Sequence, residues 1–157
     1  MFIGEAPGEQ EDLTGTPFVG RAGQLLTKMI EAMGLTRQEV VIINMLKCRP
    51  PENRYPELDE MEKCRPYLIK QIELVQPEVI VGLGKCAASL LETDETISHI
   101  RGKYHSFEVG SFKTTKFMPT FHPSYLLRNP AEKKEVWEDL KLVAKTLGIT
   151  IPKPKSI

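Results

Sequence analysis

At 157 residues and 41% hydrophobic, the chain is long enough for one domain with its own core. Its 21 Lys and Arg balance 21 Asp and Glu, which excludes the global field of a polyanion-coating protein but leaves room for a local basic rim. No apolar run is long enough to cross a bilayer, no secretory signal pattern is visible, and three cysteines, an odd number, point to a reducing, cytoplasmic setting rather than a disulfide scaffold.

Met1, Phe2 and Ile3 read as the end of a buried strand that opens into the small-residue turn Gly4-Glu5-Ala6-Pro7-Gly8. Open α/β sheets build their ligand crevices at such junctions, and small residues let backbone amides approach a ligand closely. Because the first residue already sits in a strand, we expect an N-terminal truncation or a late start codon. An acidic segment, residues 9–12, comes next, and then Phe18, an aromatic placed to complete a pocket for something flat.

Residues 22–33 carry Leu25, Leu26, Met29, Ile30 and Met33 at helical spacing, with Gly34 as the stop. The β-branched run Val40-Val41-Ile42-Ile43 predicts a strand covered on both faces and ending at Asn44. Residues 45–56, with three prolines, two arginines and a cysteine, read as a loop. A helix is expected over residues 58–75, a second β-branched strand over 78–82, and a short helix from Gly84 through Leu91. Residues 93–100 are polar and indistinct, whereas 104–109 and 112–118 flank Gly110-Ser111 as a hairpin. PTFHPSYLLRNP leads into a last helix over about 131–147, holding the only tryptophan, Trp137, and a frayed tail over 151–157. Strands alternating with helices predict a single three-layer α/β/α domain over residues 1–150, with a central, largely parallel four-stranded sheet.

Three polar residues stand where strands stop: Glu5, Asn44 and His122. Strand ends on one edge of a parallel sheet converge, so these three are expected to share a pocket with Phe18. Singly, each has an ordinary reading, Asn44 as a turn cap and His122 as a loop residue before a proline. A phosphate-binding turn is disfavoured, since no GxGxxG is present and the turn lacks the lysine and spacing of a P-loop.

In GEAPGEQED, PFVGRAG, VIINMLKCRPPENR and HPSYLLR, in that order, the sequence resembles the family-4 uracil-DNA glycosylases over nearly its whole length. The resemblance implies hydrolysis of the bond between uracil and deoxyribose in single- or double-stranded DNA, by a monomer, after the base has left the stack. Phe18 matches the stacking aromatic and Asn44 the reader of the uracil edge, with Gly4 and Ala6 in the turn that approaches the base. His122 matches the donor facing uracil O2, acting like an oxyanion hole. Better-known uracil glycosylases carry a water-orienting aspartate where this chain has Ala6, so Glu5 is expected to position the water. Glu11 matches a position that walls off the thymine methyl, and a solvated acidic loop is its plain alternative.

In HPSYLLR, the resemblance implies that Leu126 or Leu127 wedges into the gap left by the flipped base and that Ser124, with Arg128 nearby, holds a phosphate. Ordinary core packing is the alternative for the leucines, and two adjacent ones cannot both face the same way. Lys47, Arg49 and Arg54 form an expected basic rim beside Asn44. Family 4 carries a four-iron, four-sulfur (4Fe-4S) cluster on four cysteines. Cys48 and Cys64 match two of these, Cys86 matches none, and the N-terminal pair is absent, so this chain alone does not complete the cluster site. A non-catalytic DNA-binding remnant of the same fold is the rival reading.

Overall fold

The structure is a computed structural model that describes residues 1–153. Five strands form one sheet in the order β2-β1-β3-β5-β4, where β1 is Phe2–Gly4, β2 Ile42–Asn44, β3 Ile80–Leu83, β4 His105–Val109 and β5 Phe112–Thr120. Three pairings, β1 with β2, β1 with β3 and β3 with β5, are parallel. The antiparallel β4–β5 hairpin closes one edge, which makes five strands where four were expected.

Helices cover both faces. One apolar cluster joins Phe2, Val81, Leu83 and Met118 of the sheet to α2 (Arg21–Ala32), α6 (Pro123–Arg128) and α7 (Lys133–Thr146) through Leu26, Leu126 and Leu140. The other joins Ile3, Ile43, Ile80 and Phe117 to α3 (Leu58–Val75) and α4 (Gly84–Ala88) through Leu68, Ile72 and Ala87. Alternate residues of β1 and β3 feed opposite clusters, the period-two geometry of a strand buried on both sides.

Several elements depart from the sequence reading. The acidic segment folds into a short helix, α1 (Glu9–Thr14), which buries no residue and so carries no apolar period to reveal it. The second strand starts two residues late because β2 lies at the sheet edge, leaving Val41 exposed. One helical turn, α5 (Ile97–Ile100), stands in the indistinct segment. Of the tail, Ile151 packs against the first cluster, while residues 154–157 lie outside the described residues.

One buried ionic knot ties the later elements together. Asp139 of α7 accepts two bonds from Arg101, at 2.6 and 3.0 Å, and one from Thr120 Oγ1 at 2.6 Å. Arg101 also donates to the Glu135 carbonyl at 2.7 Å. The knot fixes the end of β5, from which the chain runs through Phe121 to His122.

Candidate active site

The parallel sheet brings the ends of β1, β2 and β5 to one edge, where a cleft of about 560 Å³ opens. Glu5, Ala6, Glu11, Phe18, Asn44 and His122 line it, joined at the mouth by Ser124, Arg128 and Arg54. Its floor is Gly4. A Cβ there would lie 2.4 Å from Phe18 Cζ and 2.6 Å from Asn44 Oδ1, so only glycine lets ring and amide close over the strand end.

Phe18 is 6% exposed, and its ring centre stands 5.6 Å from that of His122 at a 33° tilt. Asn44 is 7% exposed, and its Oδ1 is buried with no hydrogen-bond partner among the described residues. Leaving a buried acceptor unpaired costs about 1–3 kcal/mol, so this oxygen is primed for a donor on a ligand. The Asn44 backbone is gripped from below, where Lys47 Nζ donates to its carbonyl and to Gln71 Oε1, each at 2.6 Å.

His122 caps α6. The Ser124 backbone N–H donates to His122 Nδ1 at 3.0 Å, and Ser124 Oγ lies 2.7 Å from the same nitrogen. A backbone amide can only donate, so Nδ1 carries a lone pair and the ring proton sits on Nε2. Burial, helped by the charge of Arg128, lowers the pKa of His122 to about 4, so the ring is neutral at pH 7. The cleft therefore offers a neutral N–H donor rather than an imidazolium.

Two carboxylates are shifted in opposite directions. Burial raises the pKa of Glu5 above its ordinary value. Burial also pushes Glu11 up, but backbone amides, chiefly those of Gly20, Val19 and Gly8, outweigh it and hold Glu11 below the usual carboxylate range. Those amides donate to Glu11 at 2.9, 2.9 and 3.1 Å. Glu11 thus faces the cleft with its oxygens occupied by the loop, instead of standing in a solvated acidic segment.

The expected basic rim is not uniform. Lys47 is half-buried, bonded inward, and absent from the cleft lining. Arg49 donates to Asn53 Oδ1 at 2.8 Å, and Arg54 pairs with Glu60 at 2.5 Å. Leu126 is 1% exposed and belongs to the core, whereas Leu127 is 37% exposed, which resolves the adjacent pair into one inward and one outward leucine. Tyr55 and Asn53 also line the cleft. Sequence reasoning passed over both, because they sit in a proline-rich loop with no period to orient them.

Comparison with known proteins adds the ancestry. The model of the uracil DNA glycosylase superfamily matches residues 1–141. A type-4 uracil-DNA glycosylase from Saccharolobus solfataricus is 47% identical over 94% of this chain and 71% of its own length. Those from Archaeoglobus fulgidus and Thermotoga maritima are 44% and 46% identical, over 94% and 90% of this chain and 76% and 73% of theirs. The chain belongs to the type-4 uracil-DNA glycosylases.

For a type-4 glycosylase the cysteines are the point of departure. Cys48 is exposed, Cys64 is half-buried on α3 and accepts the Lys47 backbone N–H at 3.4 Å, and Cys86 is buried. Burial, then the Glu5 charge, pushes the Cys86 thiol up to about 12, far from the thiolate a metal requires. Among the described residues no group of three or more potential ligands gathers to hold a metal ion. The residues of this chain therefore do not fit a four-cysteine cluster.

Proposed function

We propose that the protein excises uracil from DNA, hydrolysing the N-glycosidic bond to release free uracil and leave an abasic site. The observation that carries this reading is the unpartnered Asn44 Oδ1, buried in one cleft with an aromatic ring and the His122 Nε2–H. A flipped uracil stacks on Phe18, an interaction worth about 1–3 kcal/mol. Asn44 Oδ1 accepts the uracil N3–H while its amide group donates to O4, a pattern that cytosine reverses.

As the bond from N1 to the sugar breaks, its electron pair moves onto the base and negative charge gathers on O2. The Nε2–H of His122 is the donor for that oxygen, already neutral and already oriented by Ser124. The sugar becomes cation-like and takes a water oxygen, which Glu5 positions, and the proton that the water sheds balances the uracil anion, so that free uracil and a C1′ hydroxyl result. Glu11 walls off the space that a thymine methyl would need. Ser124 and Arg128 hold a backbone phosphate, Arg54 lends a partly neutralised charge to the rim, and Leu127 fills the vacated stack.

The same reading takes single- or double-stranded DNA as substrate, a monomer as the working unit and the cytoplasm as the setting, the last supported by the odd cysteine count. No helix among the described residues is long and apolar enough to cross a membrane.

The test is an end-labelled oligonucleotide with a single uracil, presented single-stranded, opposite guanine and opposite adenine, with a thymine control. Alkali should cleave at uracil only. Uracil binding with no scission in any context would instead establish a non-catalytic remnant.

A further inference from the structure

We infer that Arg37 is a positioning residue for the base-stacking ring of Phe18, an inference that rests on reading the cleft as a uracil pocket. Arg37 stands in the single turn Arg37–Glu39, outside the residues that line the cleft. Its Nη1 donates to the Phe18 carbonyl at 2.8 Å and to Thr27 Oγ1 at 3.1 Å, and its Nη2 donates to the Pro17 carbonyl at 2.7 Å. Among the described residues it forms no salt bridge, so this half-buried cation serves two backbone carbonyls of the aromatic's own turn.

Glu11 holds the same turn from its amide side, accepting the Val19 and Gly20 N–H groups, each at 2.9 Å. Carbonyls 17 and 18 are thus pinned by a cation and amides 19 and 20 by an anion, all through charge-assisted bonds. The turn needs such a hold because Phe18 sits at φ +52°, a region that a bulky side chain occupies only when its surroundings enforce it. Helix α2 presses in from behind, close enough that a Cβ on Gly23 would fall 2.0 Å from the Phe18 carbonyl carbon, but it contributes no hydrogen bond to that carbonyl. Release to negative φ would swing the Phe18 ring away from its seat over Gly4. Arg37 therefore sets the plane on which the base stacks and acts on base affinity, not on bond breaking.

The experiment compares Arg37→Ala and Arg37→Lys with the unaltered protein by calorimetry with free uracil and by kinetics on a single-uracil oligonucleotide. Melting temperature and the Phe18 amide-to-Hα coupling, read by NMR, complete the set. In Arg37→Ala, uracil affinity should fall and KM rise, each about tenfold, with kcat kept within about threefold. The Phe18 coupling should move away from its positive-φ value, and Arg37→Lys, able to reach one carbonyl, should fall between. A merely structural arginine would cost melting temperature and active fraction, lowering kcat while leaving KM, uracil affinity and the coupling unmoved, and that result would overturn the inference. Should Arg37→Ala not fold, Arg37→Lys decides by the same split. If the unaltered protein neither binds nor excises uracil, the functional reading fails, and the coupling still decides whether Arg37 holds the ring.

Discussion

At the scale of single residues, two side chains define the chemistry by what they lack. Asn44 lacks a partner for a buried oxygen among the described residues. Replacing it in Asn44→Asp puts an acceptor where uracil O4 needs a donor, so uracil excision should fall by roughly tenfold to a hundredfold relative to cytosine. Paired oligonucleotides with uracil or cytosine at one position measure this, and an unchanged preference would remove Asn44 as the reader. His122 lacks a charge. His122→Ala should lower kcat by about 10²–10³ with DNA affinity nearly kept, and equal loss of both would mark a structural histidine instead. The sign of its pH effect follows from burial. The unfolded chain protonates this ring near 6.5 and the folded chain only near about 4, so the unfolded state binds more protons in between. The stability tied to His122 is full above about pH 6.5 and is lost as pH falls toward about 4, and kcat should show no inflection near 6.5 that disappears in His122→Ala. Glu5, Asn44 and His122 were legible as polar residues at strand ends. The roles of Arg37 and Lys47 were not, because each acts through a backbone carbonyl, and no side-chain pattern in a sequence records which carbonyl a cation will reach.

At the scale of elements, helix α2 shows packing overriding propensity. Alanine is the better helix former by up to about 1 kcal/mol, so Gly23→Ala would ordinarily stabilise a helix. Here the added Cβ would meet the Phe18 backbone at 2.0 Å, and neither the pinned turn nor the helix can yield cheaply. Overpacking costs about 1–3 kcal/mol, so the net effect should be destabilising, read as a lower urea midpoint with an unchanged slope. The helix itself was readable from the spacing of Leu26, Ile30 and their neighbours, whereas α1 was not, since six residues that bury nothing leave only a run of acids. The glycine was visible and its reason was not, because the clash partner lies in a turn whose left-handed residue is a phenylalanine, a bulky type that rarely adopts that conformation.

At the scale of the whole molecule, the Arg101–Asp139 knot holds the last third of the chain against the sheet. Asp139 is 1% exposed, and burial raises its pKa even against the pull of Thr120 and Arg101. Asp139→Ala would strip the guanidinium of its buried partner and leave it only the Glu135 carboxylate, at 3.1 Å, and the Glu135 carbonyl, a loss of up to about 3 kcal/mol that thermal unfolding should register as a drop in melting temperature. The parallel order of the central strands followed from alternating strands and helices. The fifth strand escaped the count because a hairpin gives the same local signal whether it stands apart or zips onto a sheet. The order has one more effect. Strand β3 lies between β1, which carries Glu5 into the cleft, and β5, which delivers His122, yet it contributes no side chain to the lining. The reader Asn44, at the end of β2, and the donor His122, beyond β5, are separated by three steps of hydrogen-bonded backbone, about 14 Å at the usual strand spacing. That gauge is written in main chain alone, so drift in amino-acid identity along β3 leaves it unchanged. Descendants of this fold can retune which ring edge is recognised far more easily than how wide a ring is admitted.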